Sequence, residues 1–467
     1  MRFAELESRE VAIWGFGREG RAALSALRMR FPDKPLTLYC KPEEAQAFHA
    51  IDPPLEGQGS KVSPREPAPL NIRTDAPDAG TLASHEVVIK SPGISAYRPE
   101  IIEAQQRGTC FTSGTALWFA ENPDARVVAV TGTKGKSTTT AMIAHCARAL
   151  GLRTALAGNI GMPLLELDGQ RADLWAIELS SFQTGEAGPL ELGVVVSLEE
   201  EHLDWHGSRE RYVSDKLKLA DVSRTLLVNA QVSLLMRRTA AHSHRITFNN
   251  AKGWHVSNDA IKRGEAPILE IGTLPVPGTH NAVNACAALA VIDALDFDAR
   301  AAAQALRGFK PLPHRLQKLG ARDDVEWIDD SIATTPAAAL AALRSLPGRA
   351  VTLILGGFDR GLDWSGFARE LAAHPPHALV VQGASASRIA EALRASKVGC
   401  RIARCEDLPE AVTRAKELTA AGGVVLLSPG APSFDQFRDY AQRGRAFAAL
   451  AGFDAAVLGE IEGLGIT

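Results

Sequence analysis

The chain has 467 residues, about three domains at roughly 150 residues each, and its 46% hydrophobic and 22% charged residues exclude disorder as the main state. Fifty-one Lys and Arg against 54 Asp and Glu give a net charge of -3, so no global positive field recruits nucleic acid or an anionic membrane surface, and an anionic ligand must be held locally. No apolar run approaches the roughly 18 residues that cross a bilayer, the start MRFAELESRE lacks the apolar stretch of a signal peptide, and the six cysteines contain no C-x-x-C pair, so the expectation is a cytoplasmic protein with reduced thiols and no zinc.

In chain order, strands are predicted at 11–15, 35–40, 86–91, 126–132, 174–180, 193–197, 225–230, 350–357, 378–383 and 424–430. Ala- and Leu-rich helical stretches alternate with them, the pattern of βαβ units and mostly parallel sheets. Residues 52–80 hold six prolines and little periodicity, which reads as a surface excursion. A linker follows Ser113, and the prolines of GFKPLPHR stop a helix near 311. The predicted class is therefore α/β, with domains at 1–113, 114–311 and 312–467.

The strongest local signal is VVAVTGTKGKSTTT, a strand, a tight glycine loop and a helix starting near Ser137. Backbone N–H groups at such a helix start cradle phosphate, Lys136 can reach terminal phosphates, and Ser137 or Thr138 can ligate Mg²⁺. The loop is a shortened form, because Val130 stands where the general P-loop has glycine. At the N-terminus Gly15, Gly17 and Gly20 have G-x-G-x-x-G spacing after a strand. The second strand ends in Cys40 and Lys41 rather than an acid, so three readings stay open: a dinucleotide, a structural turn, or another phosphorylated nucleotide. Glu178, His202 and Lys216 follow the phosphate loop as potential metal ligands, while His206 reads as a turn cap.

The ordered segments TGTKGKST, AGNIG, ELSSFQ, EHLDWHG, Tyr212 with Lys216, GTHNAVN, LPHR, DDSIAT, LGGFDRG and LSPGAPSFDQF resemble the Mur ligase family, most of all its MurD type, over nearly the whole chain. The resemblance implies an N-terminal Rossmann-like UDP-binding domain, a central P-loop ATPase domain and a C-terminal Rossmann-like domain for the amino acid. It implies an ATP- and Mg²⁺-dependent ligase that adds glutamate to UDP-N-acetylmuramoyl-L-alanine through an acyl phosphate, in peptidoglycan precursor synthesis. The protein would be a monomer without nucleic-acid partner or membrane insertion.

Carried onto this sequence, the family pattern assigns Gly15, Phe16, Gly17, Arg18, Ser91, Pro92, Gly93 and Asn159 to the UDP-substrate. ATP would meet Gly132, Thr133, Lys134, Gly135, Lys136, Ser137 and Thr138, with Asn281 and Asn284 by the adenine, Arg315 by the phosphates and Asp330 by the ribose. Ser137, Glu178, His202 and a carbamylated Lys216 would hold the metal, and Lys136, His202, Lys216 and Arg315 would be catalytic. Thr334, Arg360, Ser433, Phe434 and Tyr440 would contact glutamate.

Four positions depart from the usual pattern: Ile332 and Arg360 replace lysines, Glu201 replaces an aspartate and Ser197 an asparagine. WGFGREGRAA, DDSIATTP and GGFDRG look like the branch that adds L-glutamate, whose product a separate epimerase inverts. D-glutamate is the alternative. Two further readings are a folylpolyglutamate-synthase-like ligase, which lacks the N-terminal UDP domain, and a non-catalytic nucleotide-binding protein, motivated by Ile332.

Overall fold

The computed structural model describes residues 1–42, 44–45, 69–198, 206–276 and 278–467. They form two units. Met1–Pro275, Thr279–Phe309 and Gly463–Thr467 make the first, and Val276–Gly278 with Lys310–Glu462 the second.

In the first unit, β1 (Val11–Trp14), β2 (Leu36–Tyr39), β3 (Leu70–Arg73), β4 (Val87–Lys90) and β5 (Cys110–Thr112) form a parallel sheet in the order β3-β2-β1-β4-β5. β1 and β4 are buried throughout, as central strands covered on both faces must be. Helix α1 (Arg18–Arg30) buries Ala22, Ala23, Ala26 and Leu27. Strand β3 corrects the reading of 52–80 as excursion alone. Its four residues LNIR alternate between half-buried and exposed at the sheet edge, too short a run to stand out beside the prolines.

The second sheet holds β6 (Val127–Thr131), β7 (Thr154–Gly158), β8 (Leu174–Glu178), β9 (Leu190–Val195), β10 (Ser223–Asn229) and β11 (Arg245–Phe248). The order is β11-β10-β9-β6-β8-β7, with β21 (Gly465–Ile466) added antiparallel to β7. Helices α2 (Gly114–Glu121), α3 (Lys136–Ala149), α4 (Arg209–Asp221) and α5 (Thr279–Ala294) accompany it, and α5 packs on α3. Both α3 and α5 are buried over most of their length, so each helix surface faces protein rather than water. An antiparallel trio, β12 (Trp254–Ser257), β13 (Ala260–Arg263) and β14 (Ala266–Glu270), lies outside the predicted strands.

The second unit is one six-stranded sheet. Its strands are β15 (Gln317–Arg322), β16 (Val325–Asp329), β17 (Val351–Gly356), β18 (Ala378–Gln382), β19 (Arg401–Arg404) and β20 (Val424–Leu427), in the order β15-β16-β20-β17-β18-β19. β15 runs antiparallel and the others parallel. Side chains on a strand alternate between faces, so Leu353 and Leu355 enter one core layer and Ile354 the opposite one. Helix α6 (Tyr440–Leu450) is capped by Asp439 and places Phe447 in the second layer.

Candidate active site

The phosphate loop leaves the buried strand β6 and enters α3 at Lys136. Gly135, just before the helix, has φ +82°, a left-handed conformation that disfavours a Cβ. A Cβ there would also stand 2.4 Å from the side-chain oxygen of Asn284, so the loop lies directly against α5. Asn284 reaches α3 through Thr139, whose hydroxyl donates to its Oδ1 at 3.4 Å, and its amide donates to Asn281 Oδ1 at 3.3 Å. The two asparagines assigned to the adenine therefore adjoin the loop.

Three side chains brace the loop. The hydroxyl of Ser197 accepts from Lys134 N–H at 2.8 Å and donates to the Lys134 carbonyl at 2.9 Å. A small hydroxyl thus serves both polarities. Tyr212 shares a hydrogen bond with Thr133 Oγ1 at 2.8 Å, and Lys216 Nζ donates to the Gly132 carbonyl at 2.9 Å. Both come from α4, one turn apart, and both are buried. Lys136 Nζ donates to the Thr133 carbonyl at 3.0 Å, and Ser137 and Thr138 begin the helix beside it.

Glu178 ends β8 opposite Val130 of β6, so sheet register alone brings it to the base of the phosphate loop. Its Oε1 accepts from Asn159 Nδ2 at 2.8 Å, while Oε2 is buried with no hydrogen-bond partner among the described residues. A buried carboxylate oxygen without a donor is costly unless a cation meets it, and oxygen donors of this kind suit Mg²⁺. Among the described residues no group of three His, Cys, Asp or Glu forms a metal site by itself. Glu178 and Ser137 fit the expected donor set in chemistry, Lys216 would fit it only as a carbamate, and His202 lies outside the described residues.

The N-terminal glycine loop adjoins the same region. Gly20 packs against the loop so closely that a Cβ would lie 1.9 Å from the Gly15 carbonyl, and Ser91 Oγ donates to that carbonyl at 3.2 Å. Gly15, Phe16, Gly17 and Arg18 are thereby brought beside Ser91, Pro92 and Gly93. Arg18 Nη1 donates to the Gly161 carbonyl at 3.2 Å, which links this loop to the AGNIG turn and Asn159.

Below this, a buried network emerges that sequence reasoning missed. Asp215 Oδ1 accepts from Tyr97 at 2.7 Å and Lys218 at 2.7 Å, and Oδ2 accepts from Tyr97 at 2.8 Å and His206 Nδ1 at 2.7 Å. Burial opposes ionisation of Asp215, but these donors outweigh it and hold its pKa below the usual value. Burial also lowers the pKa of His206, so the neutral ring donates through Nδ1 and accepts Ser181 Oγ–H at Nε2, 3.0 Å away. His206 is thus an interior link rather than the turn cap expected from WHG, because its partner lies nine residues away on α4.

In the second unit, Arg315 sits between His314 (φ +61°) and Leu316 (φ +46°), two non-glycine residues in the left-handed region. Such backbone costs of order 1–3 kcal/mol per residue and persists only when its surroundings enforce it. Here His314 Nδ1 donates to Asp329 Oδ2 at 2.6 Å, and Leu316 N–H donates to Asp330 Oδ1 at 3.2 Å. Asp330 Oδ2 accepts from Ser428 at 2.7 Å. Burial pushes the Asp330 carboxyl up to about 7, against the hydrogen bonds from Ser428 and Leu316.

That shift has a defined sign. The folded pKa lies above the unfolded value of about 3.9, so this group's stability contribution falls as pH rises from about 4 to about 7 and is flat above. In the unliganded chain, Asp330→Asn should therefore raise the melting temperature relative to wild type by a few degrees more at pH 8 than at pH 5. Equal differences at both pH values in a calorimetric scan would contradict this.

Loops leaving β16, β17 and β20 carry the residues assigned to glutamate. Phe358 N–H donates to the Pro432 carbonyl at 2.8 Å, joining the GGFDRG and SPGAPS loops. Ser433 is buried, Phe434 is 60% exposed and meets Phe358 edge to face at 6.3 Å, and Arg360 is exposed on the same loop as Phe358. Thr334 is half-buried beside the cap Thr335, and the Tyr440 ring packs on His314 at 5.7 Å. Arg443 of α6, also missed, is buried and donates to Ser331 Oγ at 3.0 Å, the Ser331 carbonyl at 2.7 Å and the Ala431 carbonyl at 3.0 Å. It ties the DDSIAT loop to the SPGAPS loop. Ile332 is half-buried, its N–H donating to the His314 carbonyl at 3.3 Å.

Residues 130–292 match the Mur ligase middle domain, and 314–430 match the Mur ligase glutamate ligase domain. UDP-N-acetylmuramoyl-L-alanine--L-glutamate ligase of Xanthomonas euvesicatoria pv. vesicatoria is 48% identical, covering 100% of both chains. The protein of that name from Xylella fastidiosa is 47% identical over 100% of both chains. Among solved structures, UDP-N-acetylmuramate-alanine ligase MurC of Thermotoga maritima superposes with a TM-score of 0.62 at 20% identity, covering 94% of this chain and 98% of its own. No described helix is long and apolar enough to cross a membrane. With full-length relatives at this identity and an α/β fold shared with its structural neighbours, the chain belongs to the Mur ligase family.

Proposed function

We propose that this chain is a cytoplasmic, ATP-dependent ligase of peptidoglycan precursor synthesis that joins L-glutamate to UDP-N-acetylmuramoyl-L-alanine. Residues 1–113 take the UDP-substrate, 114–311 take ATP and 312–467 take glutamate. The observation that carries this reading is the phosphate loop, against which Lys216, Tyr212 and Asn284 converge while Glu178 ends the adjoining strand. The names of the full-length relatives support the substrate pair and favour the L-enantiomer.

The γ-phosphoryl group passes from ATP to the alanyl carboxylate, giving an acyl phosphate and ADP. The amine of glutamate then attacks the acyl carbon, and the tetrahedral adduct collapses to amide and phosphate. Lys136 and the N–H groups at the start of α3 offset the phosphate charge. Glu178, Ser137, His202 and Lys216 as its carbamate would hold Mg²⁺, which would supply further positive charge there. An ammonium cannot ligate a cation, whereas a carbamate offers anionic oxygens. Asn281 and Asn284 orient the adenine, Arg315 the phosphates and Asp330 the ribose. Arg360 presents a planar two-donor fork to a glutamate carboxylate, where lysine would offer a point charge, and Thr334, Ser433, Phe434 and Tyr440 complete that pocket.

One experiment decides among the readings. Purified protein with ATP, Mg²⁺ and UDP-N-acetylmuramoyl-L-alanine is offered L- and D-glutamate in turn, with phosphate release and product mass followed. Amide with L-glutamate is expected, for inversion by a separate epimerase. Product only with D-glutamate would reverse the stereochemical assignment, and no amide with either would leave a non-catalytic nucleotide binder. The N-terminal sheet with its Gly15–Gly20 loop weighs against a folylpolyglutamate-synthase-like ligase.

A further inference from the structure

Helix α4 bonds in two directions. Tyr212 and Lys216 reach Thr133 and Gly132 of the phosphate loop, while Asp215, the neighbour of Lys216, reaches Tyr97 and His206. Tyr97 follows the Ser91–Gly93 turn closely, and that turn is anchored by Ser91 to Gly15 of the glycine loop. His206 in turn holds Ser181, three residues beyond Glu178. Thr184 of the same segment donates to the Asp215 carbonyl at 2.7 Å. The three segments assigned to UDP-substrate, metal and phosphate thus meet on one helix.

Three donors, Tyr97 shared between both oxygens, His206 and Lys218, meet the Asp215 carboxylate, so the group is held from several sides. Lys218 is 48% exposed and adds little rigidity. The half-buried Tyr97 and the buried His206 do the fixing.

We infer that Asp215 is a positioning residue that couples the Ser91–Tyr97 segment to α4, so that occupation of the UDP-substrate site steadies Lys216 and Tyr212 against the phosphate loop. This rests on the proposed assignment of Ser91, Pro92 and Gly93 to that substrate. The hydroxyl of Tyr97 is the link, whereas its ring, stacked under Arg211 at 4.5 Å, serves packing. Tyr97→Phe therefore cuts the link and keeps the packing.

The test uses the full chain with UDP-N-acetylmuramoyl-L-alanine alone, without ATP or Mg²⁺, and follows amide hydrogen exchange over residues 206–221. In the wild type, substrate should slow exchange across α4 by about fivefold or more, the low end of ordinary coupling between sites. Tyr97→Phe should still bind the substrate yet lose that slowing, and its kcat should fall about tenfold with KM for ATP unchanged. Asp215→Asn should behave likewise; if it fails to fold, Tyr97→Phe decides. Wild-type protection of α4 retained in Tyr97→Phe, or a wild type that binds substrate without protecting α4, would overturn the coupling alone. A wild type that does not bind the UDP-substrate removes the functional reading and this inference with it.

Discussion

Lys136→Ala should lower turnover by roughly 10³-fold or more while leaving the affinity for the UDP-substrate unchanged. Phosphoryl transfer offers the protein little covalent work, so the reaction depends on position and on cations placed where negative charge gathers. Lys136 is the cation at the start of α3, held by its bond to the Thr133 carbonyl. Alanine keeps the helix and the backbone N–H groups but removes that charge. The substrate's UDP end is assigned to Gly15–Arg18 and Ser91–Gly93, on the other sheet of the unit, so its binding should not depend on the lysine. Phosphate release and calorimetric titration with UDP-N-acetylmuramoyl-L-alanine measure the two effects separately. Turnover within tenfold of wild type would mean that the phosphate loop is misassigned.

Glu178→Gln should cost roughly 100-fold or more in kcat and raise the Mg²⁺ concentration needed for half-maximal activity. The amide has the shape of the carboxylate and can keep the bond from Asn159, so the change isolates charge from packing. In the metal-free chain the wild type buries an oxygen that has no donor among the described residues, and the neutral amide relieves part of that electrostatic cost. Thermal stability without Mg²⁺ should therefore not fall. A variant that loses activity and stability together, with an unchanged Mg²⁺ requirement, would make Glu178 a packing residue instead.

Local patterns were legible where local chemistry decides the structure. The VVAVT run and the VVI of β4 are buried because only covered strands can carry apolar residues on both faces. The turn from TGTKGKS into a helix needed no tertiary information, since glycine backbone freedom and a phosphate-binding helix start are properties of the segment itself. Strand limits slipped where side chains are polar: β9 begins at Leu190, before the GVVVS run, because LEL pairs on the sheet through its alternating faces. The β12–β14 trio escaped notice because each strand is only four or five residues long, with His, Lys or Arg breaking the apolar pattern of β12 and β13 and a proline inside β14.

At the site, residue types were legible but their partners were not. Glu178 reads as a strand-end acid, more often solvated than buried, and only the pairing of β6 with β8 puts it in the interior. Ser197 reads as a loss relative to asparagine, yet its hydroxyl accepts and donates to one residue of the phosphate loop. Arg443 in YAQRGRAFAAL carries no local signal, and its burial depends on two loops that end other strands. In each case the deciding contact is made across a distance in sequence that periodicity does not reach.

Strand β21 has a consequence for the order of synthesis. Gly463–Thr467 belong to the first unit, although residues 310–462 between them and Phe309 make the second. On the ribosome, the first unit emerges early yet waits for the second to be translated before the edge of β7 is covered. Until then an unpaired parallel-sheet edge is open to other chains. The final closure is made by Thr154 N–H donating to the Thr467 carbonyl at 2.9 Å and by Arg148 donating to the carbonyls of Gly463 and Gly465. Arg148 thus acts as a latch thrown last, and nascent chains released before residue 463 should be the species that aggregate.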